Sequence, residues 1–323
     1  MIAVCIATYN HERFIAQCLD SVLMQQCDEP IRIYVGDDAS TDATEVICQQ
    51  YASRDARIVY LRRTKNLGLT DNTLDIYRRI LADMCDYIAM LDGDDFWTEP
   101  KKLQLQVDYM RRYPEVGFVH TNGRTLSGAD TWTFEQTHGA YGINGASFAN
   151  CTVLFRSNLL SENLIATIAT QHFLWLDYPL YGVFYLRTKW AYLPQKTAVW
   201  RDHTSISQPQ TAKAILHLRE ERCRMLQWLD TQFSGQVGYS AEEVENYLFE
   251  QRLNLIYQFN DKTLITPQLE KAYKPASWKQ QLKFKGLRNA TIYTILQKTH
   301  KKFAQLKKKL YFCSRFDEIV LKA

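Results

Sequence analysis

Short apolar runs alternating with stretches of helical apolar spacing predict an α/β protein. Its central sheet is expected to be mainly parallel, with helices on both faces and a helical C-terminal extension. Three observations carry this. The apolar runs, such as Ile2–Ala7 and Tyr87–Leu91, are continuous rather than alternating, as in strands covered on both faces. The segments between them repeat apolar residues at helical spacing. Each run ends in a polar cluster, at the place where such sheets bind ligands.

In order, Ile2–Ala7 is the first strand, closed by Thr8-Tyr9-Asn10. Asn10 is a candidate cap for a helix from about Arg13 to Gln26, with Phe14, Cys18 and Val22 flanked by Ile15, Leu19 and Leu23 as its apolar stripe. Ile31–Val35 is the second strand and runs into Gly36-Asp37-Asp38-Ala39-Ser40-Thr41-Asp42. Asp42 with Glu45 has the spacing of a capping pair for a helix reaching about Ala52. Arg57–Leu61 is a third strand, Asn66-Leu67-Gly68 a turn, and Asp71–Ala82 a helix carrying Leu74, Tyr77 and Leu81. After the strand Tyr87–Leu91, a helix from Lys101 to Tyr113 stops at Pro114, and Val116–Thr121 is again strand. Leu126–Ser147, rich in Gly, Thr, Ser and aromatics, reads as a loop region, and Asn150–Phe155 as a strand. Ala191–Trp200 suggests two short strands, and helical spacing returns over Ala212–Asp230 and Glu242–Asn260.

The fourth strand stops at Asp92, Asp94 and Asp95, three carboxylates within four residues. Like charges that close are costly unless something positive neutralises them. A hard divalent cation sharing phosphate ligands does so, and an acidic turn before a helix is the plainer reading. No G-x-G-x-x-G or G-x-x-x-x-G-K-[ST] run is present, so a dinucleotide fold or a P-loop would lack its phosphate-binding turn.

Apolar content of 46% with 23% charged residues is that of an ordinary soluble globular protein. The most apolar window, Phe173–Leu193, is broken by Asp177, Pro179, Arg187 and Lys189, which excludes a spanning helix. The eight cysteines show no C-x-x-C spacing and fit a reducing, intracellular compartment. The chain enters a strand at once with no basic stretch before an apolar core, so no signal peptide is expected. The net charge of +4 is uneven: between Lys271 and Phe316 lie thirteen Lys or Arg and no Asp or Glu. Within that tail Ile292–Phe312 is amphipathic, and the 283–312 region is expected to meet an anionic membrane surface. Nothing in the chain marks a nucleic-acid binder.

Five motifs carry a resemblance. Ala7-Thr8-Tyr9-Asn10, Asp37 to Asp42, Asn66-Leu67-Gly68, Leu91-Asp92-Gly93-Asp94-Asp95-Phe96-Trp97, and Trp200-Arg201-Asp202-His203 with Ser205 and Ser207 follow in the order seen in family 2 glycosyltransferases. That family has the GT-A fold, a Rossmann-like mainly parallel sheet, and the resemblance spans roughly residues 1–210. It divides the chain into a GT-A domain (1–122 for the nucleotide-sugar, 123–210 for the acceptor) and a helical region, 211–323, with the basic tail. The family usually has Pro where this chain has Ala7 and Gly where it has Ala39; both changes should touch loop stiffness more than chemistry.

The resemblance implies transfer of a sugar, with inversion, from a nucleoside diphosphate donor (a UDP-sugar favoured) to a hydroxyl of a glycan or lipid-linked acceptor. Such a reaction would serve cell-surface polysaccharide synthesis on the cytoplasmic face of the membrane. It implies a nucleotide site of Ala7, Tyr9, Asp38, Asn66 and Asp92. Tyr9 would stack on the base and Asp38, with Asp37 as the alternative, would accept its N–H. Asp92 would meet the ribose or a Mg or Mn ion, Asp94 would ligate that ion, and Asp95 could do either. His203 would reach the ion or the diphosphate from a late loop, and Arg201 would pair with phosphate or brace the loop. Asp177, the one carboxylate between Glu162 and Asp202, would be the base on the acceptor hydroxyl, its pKa raised by apolar surroundings. Its rival role is a helix cap. Two other functions are weighed against this. A sugar nucleotidyltransferase would carry a Gly-rich basic loop after the first strand, which Thr8–Glu12 is not. A non-catalytic partner of the same fold, binding glycans or nucleotide-sugars, would show a broken acidic cluster or lack the base.

Overall fold

Seven consecutive buried residues make β1 (Ile2–Thr8), and the sheet is built outward from it. The computed structural model describes residues 1–126, 130–131, 149–201, 211–233, 240–265, 278–287, 292–294 and 296–298. The chain divides into two compact units, Met1–His203 with Trp228–Gly238, and Thr204–Gln227 with Tyr239–Ala323.

In the first unit β1 pairs in parallel with β2 (Ile31–Asp37) on one side and β4 (Tyr87–Asp92) on the other, and β2 pairs in parallel with β3 (Ile58–Arg62). Helices α1 (Ile15–Leu23), α2 (Thr44–Arg54) and α3 (Leu69–Ala82) connect these strands, as parallel pairing requires. Beyond β4 the sheet continues through the antiparallel β8 (Val153–Arg156) to β6 (Val116–Thr125), which runs parallel to β9 (Lys189–Trp200). The short β5 (Phe96–Trp97) borders β9 and the short β7 (Asp130–Thr131) borders β6, both antiparallel. Among the described residues these nine strands form one sheet, most of them pointing the same way. Helix α4 (Lys102–Arg112) leads into β6. Helices α5 (Glu162–Ala169) and α6 (Asp177–Arg187) lie between β8 and β9 in sequence. The mainly parallel α/β architecture expected from the sequence is thus the one found.

Local details differ in three places. Asn10 is no helix cap: it has φ 55°, and its Oδ1 accepts the Thr41 N–H at 2.8 Å, tying the loop after β1 to the loop after β2. Asp42 accepts the N–H groups of Thr44 and Glu12, while Glu45 pairs with Arg62 at 2.8 Å, so that pair forms no capping box. Ala191–Trp200 lies within a single strand, whose pairing with β6 slips between Leu193 and Lys196. Pro194 in that gap has no N–H to give a ladder, and the slip absorbs it as a bulge.

The described residues of the second unit are mostly helical. Helix α7 (Ala212–Gln232) precedes α8 (Ala241–Phe259), which opens with a capping box between Ser240 and Glu243 and closes on Asn260 at φ 59°. Leu216, Leu255, Ile256, Tyr257, Leu264 and Tyr293 form the unit's apolar core. In α9 (Trp278–Gly286) Lys283 turns inward and donates to Asn254 Oδ1 at 2.5 Å, whereas Trp278, Lys279, Leu282 and Lys285 are exposed. The loop region Leu126–Ser147 and the tail Ile292–Phe312 lie for the most part outside the described residues.

One charge sits inside the first unit's core. Lys102 is fully buried; its Nζ donates to Gln106 Oε1 at 2.7 Å and lies 4.4 Å from the centre of the Trp97 ring. Burial lowers its pKa from 10.5 to about 7. Between those values the unfolded chain holds a proton that the folded chain has released. Stability therefore rises with pH across this window and is lost as pH falls through the lower value, with a slope of at most about 1.4 kcal/mol per pH unit. Lys102→Met is expected to flatten that dependence. Denaturant midpoints from pH 6 to pH 10 check it, and parallel profiles for wild type and variant would refute it.

Candidate functional site

Strand register brings the nucleotide candidates to one edge. Ala7 stands opposite Gly36 on one side and Asp92 on the other, and Thr8 stands opposite Asp37. The hydrogen bonding runs on past the strands, since Asp38 N–H donates to Thr8 O and Gly93 N–H to Ala7 O, each at 2.9 Å. Asp38 is buried; its Oδ1 accepts the Leu67 N–H at 2.7 Å and its Oδ2 the Gly68 N–H at 2.8 Å. Asn66 Oδ1 also accepts the Gly68 N–H, at 3.1 Å. Asp37 is wholly enclosed, accepting from Ser40 N–H and from Tyr60 OH at 2.6 Å. Each of the two neighbouring aspartates is thus buried and holds two bonds to the scaffold. Tyr9 is 41% exposed, with its ring available at the rim.

The acidic turn packs closely against β1. A Cβ on Gly93 would come within 2.7 Å of Thr8 Oγ1 and 2.9 Å of His11 Nδ1, so only glycine fits between Asp92 and Asp94. Asp94 Oδ2 lies 3.9 Å from His11 Nε2. Both Asp92 oxygens lie 3.3 Å from Asn150 Nδ2. The Asp92 pKa is raised above the usual carboxylate range, first by burial, then by the charges of Asp94 and Asp177, against the lowering effect of the Asn150 hydrogen bond. Asp95 is buried, and its pKa is raised further by burial and by its two acidic neighbours. Its Oδ1 accepts the Arg201 N–H at 2.8 Å.

Arg201 itself is held by aromatic faces. Its guanidinium carbon lies 4.8 Å from the Phe14 ring centre and 4.9 Å from that of Phe96, and Nη2 donates to Gln17 Oε1. This is the geometry of a brace. Asp177 begins α6, and its Oδ1 accepts the N–H of Tyr178 at 2.8 Å. It is exposed, not enclosed by aromatics as its sequence surroundings suggested, because Trp175 and Leu176 precede the helix while Tyr178, Leu180 and Tyr181 turn into the core. Asp177 nevertheless acts electrostatically on Asp92, which joins the helix start to the acidic turn. His203 lies outside the described residues. Among the described residues no three His, Cys, Asp or Glu side chains converge on a point that could hold a metal ion by themselves.

The sequence reading assigned no role of their own to four neighbours: His11, Gly93, Asn150 and Tyr181. Tyr181 OH donates to Asn150 Oδ1 at 2.5 Å, so the Asp92 partner is itself held from α6. Only the glycine between two aspartates could have been noticed, because the other contacts join distant parts of the chain.

Ala39 is a strained position. Its φ of 61° lies in the left-handed region, where a Cβ costs roughly 1 kcal/mol relative to glycine. Ala39→Gly is expected to raise stability by up to about that amount, read as a higher urea midpoint with an unchanged slope; an unchanged or lower midpoint would contradict the strain.

Comparison with known proteins follows the same edge. The glycosyl transferase family 2 profile matches residues 3–179, a stretch containing every site candidate except Arg201 and His203. An uncharacterized protein of Mycobacterium tuberculosis is 40% identical over 111 residues, covering 34% of this chain and 31% of that protein. Chondroitin synthase of Escherichia coli is 29% identical over 129 residues, 39% of this chain and 18% of that enzyme. The matched stretch therefore spans about a third or less of these relatives' length. In three dimensions the chain resembles S. aureus TarS 1–349, solved in complex with UDP, with a TM-score of 0.52 and 15% identity over 90% of this chain and 82% of that one. The family profile covers more than half of the sequence and the sheet is that of the GT-A fold, so the chain belongs to glycosyl transferase family 2.

Proposed function

We propose that the chain transfers a sugar, with inversion, from a nucleoside diphosphate donor to a hydroxyl of a glycan or lipid-linked acceptor. The observation that carries this reading is the meeting of Ala7, Asp38 and the Asp92–Asp95 turn at one sheet edge, with Asp177 in electrostatic reach of Asp92. A UDP-sugar is the favoured donor. The structures of TarS with UDP and with UDP-GlcNAc support that choice by analogy of fold.

In this reading Tyr9 stacks on the base. Asp38 accepts the base N–H with the lone pairs left by its bonds to Leu67 and Gly68. Asn66 shapes the turn that Asp38 holds. The acidic turn suits a divalent cation: its donors are hard oxygens, and burial and mutual repulsion leave its negative charge in want of a counter-charge. Asp94 and Asp92 would hold Mg or Mn, with His203 as a further candidate, and two carboxylates leave coordination places for phosphate oxygens. Such an ion, when bound, offsets the charge that grows on the departing diphosphate. Asp95 serves the frame instead, fixing the backbone of Arg201; the Arg201 guanidinium stays beside the diphosphate region as a brace.

At the other side of the sugar, Asp177 takes the proton of the acceptor hydroxyl onto a carboxylate oxygen as that hydroxyl oxygen bonds to the anomeric carbon. The bond from that carbon to the diphosphate oxygen breaks on the opposite face. The Tyr178 N–H on Oδ1 orients the carboxylate for this. The acceptor half of the domain, residues 123–210, supplies the binding surface. The enzyme works on the cytoplasmic side of a membrane in polysaccharide synthesis, with α9 and the basic 283–312 region on anionic lipid. The exposed Trp278, Leu282, Lys279 and Lys285 have the mixed apolar and cationic character of such a contact.

Asp177→Asn is expected to lower sugar transfer by about 10²–10⁴-fold while calorimetric affinity for UDP with MnCl₂ stays within about two-fold. Transfer that survives the substitution would remove Asp177 from the role of base. UDP with Mn²⁺ should raise the melting temperature and EDTA should abolish that rise; equal stabilisation without metal would argue against Asp94 as a ligand. Trp278→Ala with Lys279→Glu should reduce sedimentation with phosphatidylglycerol vesicles several-fold. Equal sedimentation of wild type and variant would refute the membrane contact.

A further inference from the structure

A buried hydroxyl reaches the acidic turn through one intermediary. Tyr181 lies on α6, four residues after Asp177 and so on the same side of the helix. Its ring is fixed in the core, stacked 6.3 Å from Phe118 and set 6.2 Å from Phe184. The hydroxyl donates to Asn150 Oδ1 at 2.5 Å, and the same amide turns its Nδ2 toward both oxygens of Asp92 at 3.3 Å. Asn150 begins the turn Asn150–Thr152 that leads into β8, and the Trp97 indole N–H holds the next residue by donating to Cys151 O at 2.8 Å.

The chemistry of this chain is directional. A primary amide can present either its C=O or its NH₂ to a neighbour, and near a carboxylate the two are opposite in sign. The Asp92 carboxylate, an acceptor, takes the NH₂ end, and the Tyr181 hydroxyl, by donating to Oδ1, holds the amide in that orientation. Phenylalanine would fill the aromatic core equally well at position 181, so packing alone does not call for the oxygen. Nor does the oxygen alone call for Asp92, since any acceptor would satisfy it. The pairing matters because Asp92 stands among like charges and the Asn150 amide is the donor that faces both its oxygens.

We propose that Tyr181 and Asn150 are a positioning pair for the donor site, holding the Asp92 carboxylate toward the ribose or cation through a fixed amide. This rests on the function proposed above and deepens it. Neither residue touches the reacting atoms; Tyr181 acts only through Asn150.

The test is a cycle of Tyr181→Phe, Asn150→Ala and the double variant in the full chain. Each is measured for melting temperature, for affinity toward UDP with MnCl₂, and for donor KM and kcat. Both single variants are expected to weaken UDP affinity and raise donor KM about ten-fold, with kcat within about two-fold, the mark of lost ground-state positioning. The double variant should be no worse than Asn150→Ala, because removing the amide removes the link through which the hydroxyl is proposed to act. A Tyr181→Phe protein of lower melting temperature but wild-type KM and UDP affinity would overturn the proposal, as would losses that add in the double variant. A crystal structure of ligand-free Tyr181→Phe gives a readout independent of turnover. Asp92 rotated from its wild-type rotamer supports the pair, and an unchanged Asp92 overturns it. Should the wild type neither bind UDP nor transfer sugar, the proposed function fails, and this crystallographic comparison still decides the role of the pair.

Discussion

Crowding of three carboxylates at the end of β4 is the constraint around which the first unit is arranged. Burial makes the charges of Asp92 and Asp95 harder to keep, and their acidic neighbours make them harder still. Different elements answer this separately. Asn150, from the turn before β8, offers its amide to Asp92; the backbone of Arg201, at the end of β9, donates to Asp95; His11, from the loop after β1, stands near Asp94. Three distant segments are thus pinned to four residues. The aromatic clamp of Phe14 and Phe96 on Arg201 extends the same arrangement, because the side chain it grips belongs to the residue whose N–H serves Asp95.

The central place of β1 explains why the edge is coherent. A strand with parallel partners on both sides delivers its own C-terminal loop between theirs, and the pairing of Ala7 with both Gly36 and Asp92 fixes the level at which the three loops emerge. The loops are then laced together: Asn10 to Thr41, Asn10 N–H to Ser40 Oγ, His11 N–H to Thr44 Oγ1, and Asp38 to Leu67 and Gly68. Short polar side chains at strand ends act here as mortar between loops, in preference to capping the helices that follow them.

That preference marks the limit of what the sequence discloses. Continuous apolar runs betray buried strands because covering both faces leaves no polar position, so β1, β2 and β4 were legible to within a residue or two. Asn10 has the right chemistry for a cap, but a cap is a local bond and loses to a tertiary partner when one is in reach, whereas Asp42 keeps the local Thr44 N–H and adds the Glu12 N–H. The stretch Ala191–Trp200 reads as two short strands and is one, bulged around Pro194, since a missing donor interrupts a ladder without ending the strand. The acidic cluster announced itself by charge density. Asn150 and Tyr181 did not, because an isolated amide or phenol carries no pattern, and their partners lie 58 and 31 residues away in sequence. The family resemblance pointed to Asp177, while its exposure goes with its place as the first residue of α6.

Gly93 has a mechanical corollary. With no room for even a methyl group between the acidic turn and the side chains of Thr8 and His11, the two loops cannot slide past each other and must travel as one body. A displacement of the loop after β1 would therefore be passed on to the aspartates by direct contact.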